Sequence, residues 1–253
     1  MSWIAVAIAC VAQLAGQEWA VGAGLVFFLL GLAHGAGDEN EGAIARITPI
    51  HAGAYILTGA AVAGLFLFAP FAGLALFLTL SAWHFARSDC AFSPITRYAI
   101  AGLAVGGSAL FRPETTADVF AVITGTDVPI NVVRVLALLG LTGVGCALYA
   151  LMRGLRGFGH AVIALASVAL FHPVLAVGLV FLIAHAVPVQ QRQMVNYGRR
   201  AVWQAVALPS AVAAAGAITM ALLVATGQLG MSFAIALGFG MATPHMLTER
   251  LER

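Results

Sequence analysis

The chain has 253 residues, of which 62% are hydrophobic and only 9% are charged, and its formal net charge is +2. Soluble domains carry about 25% charged residues, so this composition excludes an ordinary soluble protein and requires lipid to cover much of the apolar surface. The small net charge, without any basic cluster, also argues against nucleic acid as a partner.

Ten apolar segments separated by short polar or Pro/Gly breaks are predicted to form transmembrane helices. In chain order they span residues 3–16, 19–36, 50–69, 71–87, 97–111, 132–152, 158–171, 174–188, 201–226 and 230–247. The stretch 158–188 also fits a single hairpin folded at His172-Pro173, so about 8–10 helices are expected. The longest polar stretch, 112–131, is predicted to be a loop. The sequence therefore predicts an all-α, polytopic transmembrane helical bundle forming one integral membrane domain over residues 1–253.

The basic residues are all arginines, and their distribution predicts the orientation of the bundle. Arg112 and Arg134 lie on one side of the predicted bundle, next to several acidic residues. The other ten lie on the opposite side, where the even-numbered helices end: Arg46, Arg87, Arg97, Arg153, Arg156, Arg192, Arg199, Arg200, Arg250 and Arg253. Because arginine-rich loops remain in the cytoplasm, we expect a multi-pass protein of the inner (plasma) membrane with both termini cytoplasmic.

Four histidines lie near the predicted cytoplasmic ends of even-numbered helices. His34, His84, His185 and His245 end the second, fourth, eighth and tenth predicted helices. Because these helices run in the same direction, their imidazoles are expected at a similar depth. Ionisable side chains inside a membrane are costly and indicate function, and neutral imidazole is a common ligand for iron, copper and zinc. The pattern predicts that these four histidines bind a metal ion.

Carboxylates follow three of these histidines at about one helical turn. They are Asp38, Asp89 and Glu249. A carboxylate in such a place can accept the second ring N–H of a metal-ligating histidine and fix its tautomer, which we expect of Asp38 and Asp89. The alternative is that all three are solvated residues at helix ends.

Three further histidines are less closely tied to this pattern. His51 and His160 begin odd-numbered helices on the same predicted side and are weaker candidates as ligands. His172 lies on the opposite side, beside a proline, and is interpreted as a turn residue.

The motifs around the four histidines occur in a fixed order along most of the chain. They read His34-Gly35-Ala36 with Asp38, Ser81-Ala82-Trp83-His84-Phe85 with Asp89, His185 after an apolar run, and Pro244-His245-Met246-Leu247. In this order they resemble the Brp/Blh family of membrane β-carotene 15,15'-dioxygenases. The resemblance implies an iron-dependent enzyme with Fe2+ as its cofactor, which cleaves β-carotene with O2 to give retinal. It also implies lipid-soluble carotenoid, O2, membrane lipid and a rhodopsin that receives retinal as partners.

One position departs from the pattern of that family. Where the family has a second histidine one turn after His185, this chain has Val189, which cannot bind a metal. Pro188 precedes it and is expected to end the helix. The ligand role that the resemblance implies therefore transfers to His34, His84 and His185. Either His245 completes the set, as we expect, or the site keeps only three histidines.

Other functions fit parts of the same pattern. A non-catalytic relative that binds a carotenoid or retinal is the alternative that the valine favours. A haem or quinone protein would use pairs of histidines on two helices. A transporter with a histidine proton relay would need polar residues that continue to the far side, and the predicted helices have few of them.

Overall fold

The structure, a computed structural model, describes residues 2–38, 49–88 and 91–251, and this part of the chain forms eleven helices and no strand. The helices are α1 Ser2–Ala15, α2 Gln17–Asp38, α3 Pro49–Phe68, α4 Pro70–Ser88, α5 94–111, α6 Pro113–Thr124, α7 Ile130–Met152, α8 Phe158–Leu170, α9 Pro173–Tyr197, α10 Arg199–Ala225 and α11 Met231–Leu251. The predicted all-α fold is confirmed.

All ten predicted segments are helical, but the prediction of a loop over 112–131 is wrong. Helix α6 occupies most of that stretch, and only a short connection remains before α7. Its buried residues Thr116, Phe120 and Thr124 are spaced four apart, so they form one stripe along the helix. Two of the three residues in this stripe are threonines, so the segment lacks the apolar periodicity that predicts a helix.

Three of the described helices are long and apolar enough to cross a membrane. They are α7, α9 and α10, and several shorter apolar helices accompany them. Only 6% of the most apolar window of α10 is buried, against 61% for α9. The apolar side chains that α10 leaves exposed are suited to contact with lipid.

The chain divides into two compact units, and the first consists of residues 1–31, 81–122 and 126–189. Its core is formed mainly by small and aliphatic side chains of α5, α8 and α9. Two helices in this unit contain a π-helical turn, Leu103–Gly107 in α5 and Leu182–Ala186 in α9. Such turns insert one extra residue into a helix and occur frequently at functional sites.

Helix α5 lies directly against α7 where two glycines meet. A Cβ atom placed on Gly140 would overlap the carbonyl oxygen of Gly106, and one on Gly143 would lie 2.7 Å from the backbone nitrogen of Leu103. The two backbones can approach this closely only because no side chain separates them, as is common for helix pairs in membranes.

The second unit consists of residues 32–80, 123–125 and 190–253. Within it α3 packs along α11, and the Tyr55 hydroxyl donates a hydrogen bond of 2.9 Å to the carbonyl of Met241. The ring of Phe239 on α11 stacks on Phe77 at a centroid distance of 3.9 Å and meets Phe66 edge-on at 5.2 Å. These aromatic contacts hold the middle of α11 against α3 and α4.

The close contact between α5 and α7 predicts different effects for two glycine substitutions in α7. Gly140→Ala would place a methyl group on the backbone of α5, and overpacking of this kind costs about 1–3 kcal/mol. Gly145→Ala is the matched control, because nothing lies within 4 Å of its added Cβ and alanine favours a helix. Thermal unfolding of the purified protein should give a lower Tm for Gly140→Ala and an unchanged or higher Tm for Gly145→Ala. Equal Tm values would contradict the proposed backbone contact.

Candidate metal centre

Two of the predicted ligands, His84 on α4 and His185 on α9, face each other inside the first unit. Their Nε2 atoms are 3.0 Å apart, and their rings meet at an interplanar angle of 77°. Both residues are buried, with 3% and 2% of their surfaces exposed. We call these two residues the histidine pair.

His185 lies in the π-helical turn of α9 rather than at the end of a helix. In this turn the backbone N–H of Val187 donates to the carbonyl of Leu182, five residues earlier. The helix then continues to Tyr197, so the prediction that Pro188 ends it is wrong. The π turn shifts the hydrogen-bond register of the helix. Pro188 lies in the first turn after this shift, where a helix tolerates a residue without an N–H, so the helix does not end there.

Three phenylalanines surround His185, and we call them the aromatic wall: Phe28, Phe85 and Phe181. The ring of Phe85 is perpendicular to His185 at a centroid distance of 4.8 Å, and Phe181 is tilted against it at 5.8 Å. Phe28 packs on Phe181 at 5.5 Å. Phe85 and Phe181 therefore give the buried ring of His185 apolar, aromatic neighbours.

Gly31 allows the aromatic wall to close. A Cβ atom at this position on α2 would overlap the ring of Phe181. The backbone of α2 therefore lies directly against that ring, and Phe181 has little room to move away from His185.

Val189 follows His185 by four residues on α9 and is 1% exposed. Because α9 continues through Pro188, this valine remains part of the buried surface of the helix. The position that carries a histidine in the Brp/Blh pattern is thus a packed, apolar position in this chain.

His245 lies in the second unit, on α11, and is partly buried beside Pro244. Pro244 has no N–H, so it leaves the carbonyl of Gly240 without its intrahelical donor. Gly59 of α3 packs against this carbonyl, since a Cβ at Gly59 would lie 2.7 Å from the oxygen. The hydroxyl of Thr243 donates to the carbonyl of Phe239 over 2.7 Å. These contacts involve the turn of α11 that precedes His245.

Several predicted site residues fall outside the described part of the structure. The backbones of His34, Asp38 and His51 lie in helices, but their side chains are outside the described residues, as is all of Asp89. Their predicted roles stay predictions.

The remaining histidines lie away from the histidine pair. The ring of His160 packs against Phe92 at a centroid distance of 4.7 Å. His172 caps the first turn of α9, as expected of a turn residue, because its Nδ1 accepts a hydrogen bond from the N–H of Val174.

The histidine pair has the separation expected of two ligands on one metal ion. Imidazole nitrogens at about 2.1 Å from an ion and about 90° apart are separated by roughly 3.0 Å, which equals the observed distance. The same distance fits a hydrogen bond in which one neutral ring donates to the other. Among the side chains that the structure describes, no group of three or more His, Cys, Asp or Glu residues converges. The described residues therefore bring two of the four predicted ligands together.

Sequence reasoning missed one deeply buried polar side chain on α9. Gln193 is 1% exposed. The turn Gln190-Gln191-Arg192-Gln193 has the composition of a solvated helix end, and only its position after an apolar run could have indicated burial.

One comparison with known proteins was positive. The family described as beta-carotene 15,15'-dioxygenase matches residues 25–251, which is most of the chain and includes all four predicted histidine ligands. No curated protein and no solved structure matches the chain.

The contact between Gly31 and the aromatic wall predicts that Gly31→Ala destabilises the protein. The added methyl group would force the ring of Phe181 against Phe28, Phe85 and His185, which we expect to cost about 1–3 kcal/mol. Gly22→Ala on the same helix is the control, because it has open space around it. The Tm should fall for Gly31→Ala and not for Gly22→Ala. An unchanged Tm for Gly31→Ala would mean that Phe181 moves aside freely.

Proposed function

The chain belongs to the β-carotene 15,15'-dioxygenase family, and we propose that it is a membrane enzyme that cleaves a carotenoid, β-carotene in the first place, with O2 to give retinal. The observation that carries the proposal for this chain is the buried histidine pair, with two Nε2 atoms 3.0 Å apart in an apolar environment. This arrangement supports a metal-dependent reaction on a lipid-soluble substrate.

Iron is the proposed cofactor, with His84 and His185 as two of its ligands. Histidine nitrogens on separate helices leave other positions of a metal ion open, as oxygen-activating non-haem sites require. His34 and His245 remain the proposed further ligands on the strength of the sequence pattern. Asp38 is the proposed acceptor of the second ring N–H of His34, and Asp89 that of His84. Bound iron would supply the activation of O2; the roles below belong to the protein.

The residues of the first unit would hold the metal ligands still and exclude water. Phe85 and Phe181 fix the orientation of the His185 ring by packing on two sides of it. A neutral imidazole has one ring nitrogen with a lone pair, and each residue of the histidine pair could use it to bind a cation. Phe28, Phe85 and Phe181 also offer flat apolar surfaces of the kind against which a conjugated polyene packs.

A bis-histidine haem is disfavoured by the geometry of the histidine pair. Imidazoles on opposite faces of a haem iron would place their nitrogens roughly 4 Å apart, twice the usual metal–nitrogen distance, with the flat macrocycle between them. The two Nε2 atoms are only 3.0 Å apart. No macrocycle fits in that gap.

A second candidate function is binding of a carotenoid or retinal without cleavage. The buried Val189 favours it, because a metal ligand of the family pattern is replaced by a side chain that packs in the interior. In that case the purified protein would retain an intact carotenoid and would hold no stoichiometric iron.

The proposed membrane arrangement is multi-pass in the inner (plasma) membrane, with both termini in the cytoplasm. The uneven distribution of arginines and the three long apolar helices support it. The retinal product would remain in the bilayer, where a rhodopsin is the proposed recipient.

The activity can be tested in cells that make β-carotene. Expression of the chain should bleach the orange pigment and produce retinal, measured by chromatography of the extract. His84→Ala and His185→Ala should each lower retinal formation by more than roughly 100-fold, because the loss of a ligand exceeds the 10–100-fold effect of residues that only support ligands. His160→Ala, which removes a partly buried ring outside the histidine pair, is the control and should retain activity. Persistent pigment with iron-loaded protein would favour the binding function.

The orientation can be tested by labelling single cysteines in a variant without native cysteines. Asp118→Cys lies on α6, on the predicted external side, and is exposed. Arg153→Cys follows α7 on the predicted cytoplasmic side and is also exposed. A membrane-impermeant thiol reagent added to intact cells should modify only the first of these variants. Modification of the second alone would invert the proposed orientation.

A further inference from the structure

A group of polar side chains closes the turn between α8 and α9, at the other end of α9 from His185. The side-chain oxygen of Gln13 accepts a hydrogen bond of 2.7 Å from the backbone N–H of His172. The guanidinium of Arg112 donates to the carbonyl of Leu170 over 2.8 Å and to that of Ala169 over 3.5 Å. These contacts tie α1 and the end of α5 to one turn.

The imidazole of His172 presents a buried donor that the described residues do not satisfy. Its Nδ1 accepts from the N–H of Val174, so the proton of the neutral ring lies on Nε2. His172 is 7% exposed, and its Nε2 is fully buried without a hydrogen-bond partner among the described residues. Burial, and secondarily the charge of Arg112, lower the pKa of His172, which keeps the ring neutral at pH 7.

Arg112 adds a positive charge and another unsatisfied donor. Its Nε is buried without a partner, and within the described part of the chain no carboxylate pairs with it. The hydroxyl of Thr116, one turn further along, is buried and equally unsatisfied. Glu114 and Asp118 on the same helix are exposed to the surroundings. The turn therefore contains more buried donors than acceptors, and a cation without a counter-ion.

We propose that Arg112, Thr116 and His172, here called the His172 cluster, bind an anionic oxygen group such as a phosphate. Each buried donor without an acceptor is costly, and an anionic oxygen would satisfy several of them while neutralising Arg112. Phe111 and Leu170 beside the cluster are exposed and apolar, so the acyl chains of a phospholipid can lie next to its headgroup phosphate. His172 lies thirteen residues before His185, about 20 Å away along α9, so the cluster is separate from the histidine pair.

Arg112 and Arg134 form a matched pair for testing this site. Both lie on the same predicted side, but Arg134 is exposed, and among the described residues its hydrogen bond is to the side chain of Asn131. Arg112→Gln should weaken anion binding by at least about tenfold, since it removes a charge-assisted hydrogen bond, and Arg134→Gln should not. His172→Ser leaves the contacts of Arg112 in place and keeps an oxygen that can cap α9, so it tests the ring donor even if Arg112→Gln folds poorly.

The measurement is thermal unfolding of the delipidated full chain in neutral detergent, titrated separately with short-chain phosphatidylglycerol, inorganic phosphate and oleate. A saturable rise in Tm with phosphatidylglycerol that weakens in Arg112→Gln and His172→Ser, but not in Arg134→Gln, supports a phospholipid site. The same pattern with inorganic phosphate or oleate alone supports the anion site and assigns its ligand as free phosphate or a carboxylate. No rise with any of the three, or an equal rise in Arg112→Gln and His172→Ser, would overturn the proposal.

Discussion

The approach of two imidazoles to 3.0 Å inside an apolar helix bundle constrains the rest of the first unit. Two buried histidines at this distance cannot both carry a proton on the facing nitrogens. The pair is stable only if one ring donates a hydrogen bond to the other or if a cation binds both rings. The surrounding structure keeps either arrangement in place, because the π turn of α9 sets the position of His185 and the aromatic wall blocks its rotation.

Much of the fold could be predicted from the sequence because apolar runs and their breaks correspond to helices in lipid. The ten segments follow from the order of apolar runs along the chain. The shared direction of the fourth and eighth segments suggested that His84 and His185 could meet. Helix α6 could not be predicted in this way, since its buried stripe uses Thr116 and Thr124 in place of aliphatic residues. The π turn also has no sequence signal that hydrophobic periodicity detects, and without it Pro188 looks like a helix end.

The continuation of α9 past Pro188 determines the structural role of the valine at position 189. If the helix ended at Pro188, the next residue would leave the bundle and its identity would matter little. Because α9 continues, Val189 is held in the interior one turn after His185, at 1% exposure. The position at which the Brp/Blh pattern has a histidine therefore lies in the interior and holds a small apolar side chain in this protein. On our account, the metal ion is bound by His185 and by histidines from other helices, without a ligand at position 189.

The central claim is that His84 and His185 bind the same iron ion, and X-ray absorption at the iron K-edge tests it most directly. Protein loaded with iron(II) under anaerobic conditions should show imidazole scattering from at least two histidines, with iron–nitrogen distances of about 2.1 Å. His84→Ala and His185→Ala should each lose one imidazole contribution or lose the iron altogether, while His160→Ala should give the spectrum of the unmodified protein. Full iron loading with an unchanged spectrum in both His84→Ala and His185→Ala would contradict the account.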